Sequence, residues 1–104
     1  MGSSIQSKME DELRTFTIFV SGELCADSCS TLYSTIQDRD LSEVDRVILD
    51  LSECTRIDSV ALGVLLQLRE IAIEQSTSVL IRHPSKSVLR VLQTSNFDRL
   101  FEVD

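Results

Sequence analysis

DRVILDLSECTRIDSVALGVLLQLREIAIEQS, from Asp45 to Ser76, is the stretch whose reading decides the fold. Val47, Ile48, Leu49 and Leu51, interrupted only by Asp50, form the apolar run of a strand covered on both faces. Ser52 to Ile57 reads as a polar turn. Beyond it the hydrophobic period changes to that of a helix lasting about four turns. Asp58 precedes this helix as an N-cap whose carboxylate can accept the N–H of Val60 or Ala61. The hydroxyl of Ser59 then stands at the helix mouth, in the positive end of the dipole.

At about 100° per residue, Ser59, Gly63, Gln67, Glu70 and Glu74 fall on one polar stripe. Ala61, Leu65, Leu68 and Ala72 lie opposite and are expected to face the sheet. Val60, Val64 and Ile71 flank the stripe on one side, Leu66 and Ile73 on the other. Ser59 therefore heads a solvent-facing ridge with an apolar rim, the composition of a docking surface and also of an ordinary amphipathic helix. Gly63 marks a close approach, by a neighbouring element or by a partner. Glu70 and Glu74 read as a solvated like-charge pair.

Upstream, residues 5–10 are a weak edge strand or disordered. RTFTIFV, 14–20, alternates, with Phe16, Ile18 and Val20 on one face and Thr15, Thr17 and Phe19 on the other, until Ser21-Gly22-Glu23 breaks it. A helix follows with Asp27 or Ser28 as cap and Cys29, Leu32, Tyr33 and Ile36 on its apolar side. Residues 39–45 are a polar connection. Downstream, TSVLIR (77–82) is a mostly apolar strand and His83-Pro84-Ser85 a turn. A helix runs from about Lys86 to Gln93 with Pro84 suited to its start. Asn96 takes a left-handed conformation that closes this helix, and Asp98 to Asp104 adds one short strand. Strand–helix alternation implies parallel pairing with right-handed crossovers. The first strands are expected to pair antiparallel. The fold class is therefore α/β, a small mixed, mainly parallel sheet of about four to five strands with helices packed on it.

The 104 residues, 42% of them apolar, are expected to form one domain, 1–104, around a small core. Met1 to Ser4 resemble a tag remnant or an unstructured start. No apolar run approaches the roughly eighteen residues of a membrane span, and no secretory leader is read at the start. A net charge of −7 disfavours nucleic acid and anionic membranes and favours a partner with a basic face. Cys25, Cys29 and Cys54 are expected to be free thiols of a reducing, cytoplasmic compartment. Their spacing fits no structural zinc pattern, so neither a metal nor a cofactor is expected, and Cys29 is assigned to the core. His83 has no motif Ser or Cys beside it, and no phosphate-cradling glycine loop is present, so the chain is not expected to be an enzyme.

Three islands, in order, carry a resemblance. Phe19-Val20-Ser21-Gly22-Glu23-Leu24 is similar to a strand ending in an SGEL turn. Val47 to Leu51, then Asp58-Ser59 and Leu62-Gly63-Val64, is similar to a central strand with a D-S-[ST]-G-[LIV]-G signature. Thr94 to Phe101 resembles a closing T-G-L-D-x-[LIV]-F segment. These are the marks of the STAS domain, and within it of the bacterial anti-sigma factor antagonists. The resemblance implies that Ser59 is the phosphoacceptor for a GHKL-type serine kinase that doubles as the anti-sigma factor. It further implies that Gly22, Glu23, Asp58, Ser59, Val60, Gly63, Val64 and Gln67 contact that partner. Binding is expected when Ser59 is free and lost when it is phosphorylated. An alternative is a STAS subunit of a larger assembly, a lipid-transport ABC complex or a stress-sensing scaffold, using the same helix as a constitutive docking surface. Val60 and Ala61 replace the family's usual second hydroxyl and glycine, and Cys25 replaces an Asp after SGEL. The family's usual C-terminal helix is not expected after Asp104.

Overall fold

The computed structural model describes residues 3–104. Its strands are β1 (Ser4–Glu10), β2 (Thr15–Leu24), β3 (Arg46–Ile57), β4 (Ser78–Arg82) and β5 (Glu102–Val103). The helices are α1 (Ala26–Gln37), α2 (Ser59–Glu74) and α3 (Lys86–Thr94), with a 3-10 turn at Phe97–Arg99. The sheet order is β1-β2-β3-β4-β5. β1 pairs antiparallel with β2, and the remaining neighbours are parallel. The mixed α/β sheet read from the sequence is the one observed.

One core gathers alternate strand residues (Phe16, Ile18 and Val20; Val47, Leu49 and Leu51; Ile81) with the inward faces of all three helices. Strand side chains alternate between faces, and Ile48, buried to 8% exposure, belongs to the opposite face. On that face Asp50 accepts hydrogen bonds from the amide and hydroxyl of Ser52 at 2.9 and 2.7 Å. It is also paired with Arg82 at 3.0 Å. The cluster lets a charged residue interrupt an apolar run without leaving a buried charge unmatched.

Several local expectations are corrected. Ser52–Ile57 is the second half of β3, and Ser21-Gly22-Glu23 continues β2 rather than ending it. The two halves sustain each other, because Gly22 pairs with Cys54, Glu23 with Arg56 and Leu24 with Ile57. Register shifts between Phe19 and Ser21 and between Gly22 and Glu23 make this possible. Each shift resets the alternation, so Cys54 and Ile57, three positions apart, are both core residues. Gly22 has φ 83°, a value that favours glycine. The first segment is a true strand: Ser4 opens β1 and is not an unstructured start, while Met1 and Gly2 lie outside the described residues.

One helix start shifts as well. α1 is capped by Cys25, ahead of both expected caps, Asp27 and Ser28. Ser28, at the third helical position, reaches back so that its Oγ accepts the Cys25 N–H at 3.0 Å, the return bond of a capping box. α3 begins at Lys86, where the sequence places it, with Ser85 as its N-cap and Pro84 just before it, and the Ser85 hydroxyl donates to the Cys54 carbonyl at 2.9 Å. The 39–45 connection is less polar than its charges suggest, since Leu41 and Val44 are core residues. Asn96 is left-handed, φ 61°, as expected.

Candidate functional site

The parallel strands β2 and β3 end side by side and hand over to α1 and α2 at one edge of the sheet. In open α/β sheets this carboxyl-terminal edge is where functional groups gather. The Asp58 N–H donates to the Leu24 carbonyl at 3.3 Å, which ties the two junctions together. Asp58 Oδ1 accepts the Ala61 N–H at 2.9 Å, one of the two donors the sequence offered it. With the cap satisfied by its neighbour, Ser59 is the first residue of α2 and is exposed.

From Ser59 the ridge runs along α2 at 1.5 Å per residue, so Gln67 lies about 12 Å away. Val60 is 49% exposed. Gly63 and Gln67 are exposed and Val64 is half-buried. Ala61, Leu65, Leu68 and Ala72 are buried on the opposite side, as the periodicity required. Gly63 meets no neighbouring element, because a Cβ built there has nothing within 4 Å. Of the two close approaches considered for it, the one within the molecule is excluded.

Gly22 and Glu23 join this edge through their pairing with Cys54 and Arg56. Glu23 forms an ion pair with Arg56 at 2.9 Å, both side chains being more than half exposed. Such a pair contributes little to stability and leaves both charges open to a partner. A depression of about 810 Å³, bounded by Gly22, Glu23, Cys25, Asp27, Thr31 and Thr55, opens beside them.

The sequence offered Ser28 only as a candidate cap and did not point to Arg56, Ser85 or Ser87 as part of this edge. Ser28 is 6% exposed, and its hydroxyl is 3.0 Å from the Glu23 carbonyl. It thereby clips the end of β2 to the first turn of α1. Ser87 donates to the Thr55 carbonyl at 3.2 Å and, with Ser85, fixes the end of β3 below Asp58. A serine three residues after Cys25 was a readable capping signal; the other partners come from distant strand pairing.

Burial, then the charge of Asp58, then Cys25 push the Cys29 thiol above its ordinary range. Burial does the same to Cys54, against hydrogen bonds that oppose it. Both therefore remain thiols at neutral pH. All three cysteines are free. Among the described residues no group of three or more His, Cys, Asp or Glu side chains is placed to hold a metal ion. No described helix is long and apolar enough to cross a membrane.

A family model described as "Mlab, STAS domain" matches residues 8–102. A STAS-domain containing protein of Pseudomonas aeruginosa is 38% identical over 58 residues, 56% of this chain and 57% of that protein. The chain thus matches little more than half the length of that curated relative. Among solved structures, a Thermotoga maritima protein assigned as an anti-sigma factor antagonist superposes with TM-score 0.84 at 23% identity, covering 95% of this chain and 84% of that one. Unphosphorylated SpoIIAA, an anti-sigma factor antagonist, gives 0.82 at 19%, covering 97% and 88%. A sulfate transporter family protein of Wolinella succinogenes gives 0.78 at 17%, covering 88% and 76%. At these identities the three structures establish a shared fold.

Proposed function

Because the chain belongs to the STAS domain family, we propose that it is a regulatory protein-binding module, an anti-sigma factor antagonist switched at Ser59. The observation that carries this reading is the exposed Ser59 hydroxyl at the start of α2, with Asp58 engaged as the cap. A partner kinase supplies ATP. The Ser59 oxygen attacks the γ-phosphorus, the hydroxyl proton leaves, and ADP departs. The chain itself is substrate and ligand rather than enzyme.

The phosphoryl group adds about −1.5 to −2 charges and three acceptor oxygens. At a helix N-terminus the dipole and the free N–H groups tolerate it, so α2 stays folded. Within an interface the same charge must be desolvated beside Asp58, and association weakens. The unmodified ridge of Val60, Gly63, Val64 and Gln67, with Gly22 and Glu23 at its head, binds the anti-sigma factor of GHKL type in the cytoplasm.

Val60 favours a second reading. Its β-branched side chain, 49% exposed beside the acceptor, narrows a kinase's approach yet suits permanent docking in an assembly such as a lipid-transport ABC complex or a stress-sensing scaffold. Mass spectrometry of the protein from its native cells separates the two. Phosphate on Ser59, with a GHKL-type kinase among the co-purifying proteins, is the expected result. An unmodified Ser59 with a stoichiometric ABC-transporter subunit would establish the second reading instead.

A further inference from the structure

We propose that the flank of α2 turned away from Val60 and Val64 is a second docking surface, which receives an amphipathic helix of a partner protein with an apolar seam edged by lysine or arginine. Leu66, Ile73 and Leu100 are 39%, 53% and 43% exposed. Leu66 and Ile73, seven positions apart, stack on one side of α2, and half-buried Leu62 extends the line by a turn. Spacing of this kind is the seam of a helix pair. Arg69 Nε donates to the Leu100 carbonyl at 3.0 Å and holds Leu100 against the helix.

The strip also has an anchor point. A depression of about 280 Å³ lies between α2 and the β4–β5 edge, its apolar lining made of Ala72, Ile73, Val79, Leu100 and Phe101. It has room for one large apolar side chain, the usual centre of an interface's binding energy.

Charge selects the occupant. Exposed Glu70 and Glu74 border the strip on the ridge side, and Glu102 lies on the other. Arg69 pairs with Glu70, Nη1 to carboxylate 3.6 Å, and Asp98 and Arg99 carry opposite charges, so Glu74 and Glu102 remain as the uncompensated charges of the strip. A second copy of this chain would set acids against acids under a net charge of −7 on each. An anionic membrane would be repelled likewise. A basic-edged helix satisfies both the seam and its borders. The proposal does not rest on Ser59, which heads the polar stripe between the two flanks.

The test titrates the full, ¹⁵N-labelled chain with two synthetic helical peptides sharing one leucine seam, one edged by lysine and the other by glutamate. The lysine-edged peptide is expected to shift the amides of Leu62, Leu66, Ile73 and Leu100 and to bind at least tenfold more tightly than its counterpart. The double variant Leu66→Ser/Ile73→Ser, altered only at exposed positions and checked by thermal melting, should lose at least tenfold of that affinity, and Ser59→Asp should lose none. Equal affinities for the two peptides, undiminished binding by the double variant, or shifts centred on Ser59 would overturn the proposal. So would a concentration-dependent dimer in sedimentation that the double variant abolishes, since the occupant would then be a second copy.

Discussion

An alanine at position 63 would place its methyl group in open space. Removing a glycine from a helix interior there should raise stability by about 0.5–1 kcal/mol, through the smaller entropy lost on folding. If a partner lies close against the ridge, the same methyl group should weaken binding. Gly63→Ala is thus expected to melt at higher denaturant and to bind its partner less tightly. A variant neither more stable nor weaker in binding would show that position 63 needs no glycine on either account. At Asp50, burial pushes the carboxyl up, but the two hydrogen bonds from Ser52 and the pair with Arg82 outweigh it and hold the group below the ordinary 3.8. The unfolded chain therefore binds this proton more readily than the folded one. The stability so gained is present above the unfolded value, near pH 4, and is lost as pH falls through the folded value. Asp50→Asn should cost about 1–3 kcal/mol at neutral pH and flatten the acid limb of the stability curve, both readable from denaturant melts at several pH values. Half-buried Cys25 should react with a thiol reagent before unfolding, and buried Cys29 and Cys54 only with it.

Among the elements, α2 was the most legible. Its apolar positions repeat at the helical period without interruption, so the buried set Ala61, Leu65, Leu68 and Ala72 follows from spacing alone. Leu65 is fully buried, and Leu65→Ala is expected to cost about 2–5 kcal/mol in denaturant melts. A change within error of zero would mean that the helix does not rest on the sheet through that face. The strands were legible only where their alternation stays regular. Beyond Val20 and Leu51 the chain reads as polar and broken, because bulges shift the register and let Cys54 and Ile57 share a face that strict alternation denies them. Neither half of the β2–β3 extension carries a strand signal by itself; each is a strand because the other is there. The start of α1 is illegible for a related reason: cysteine is rarely a cap, and the bond that marks this one runs from the Cys25 N–H to the Ser28 Oγ.

At the scale of the molecule, element order and charge were legible, whereas the assembly of the candidate site was legible only in part. Asp58 and Ser59 are contiguous and could be placed from their own neighbourhood. Arg56, Ser85 and Ser87 reach the same edge through parallel pairing and a crossover, contacts that no local pattern encodes. The finished edge offers a hydroxyl at a helix mouth, an open ridge along α2 and a depression beside Glu23, all supported by one core. On the proposed function, such a surface loses its partner through one modification while the fold beneath it is unchanged. Calorimetric titration of the proposed GHKL-type partner kinase with Ser59→Ala and Ser59→Asp, both verified to melt like the parent chain, tests this most directly. The account predicts that Ser59→Ala binds with the parent's affinity and that Ser59→Asp loses at least about tenfold, some 1.4 kcal/mol. Equal affinities for the two variants would contradict it.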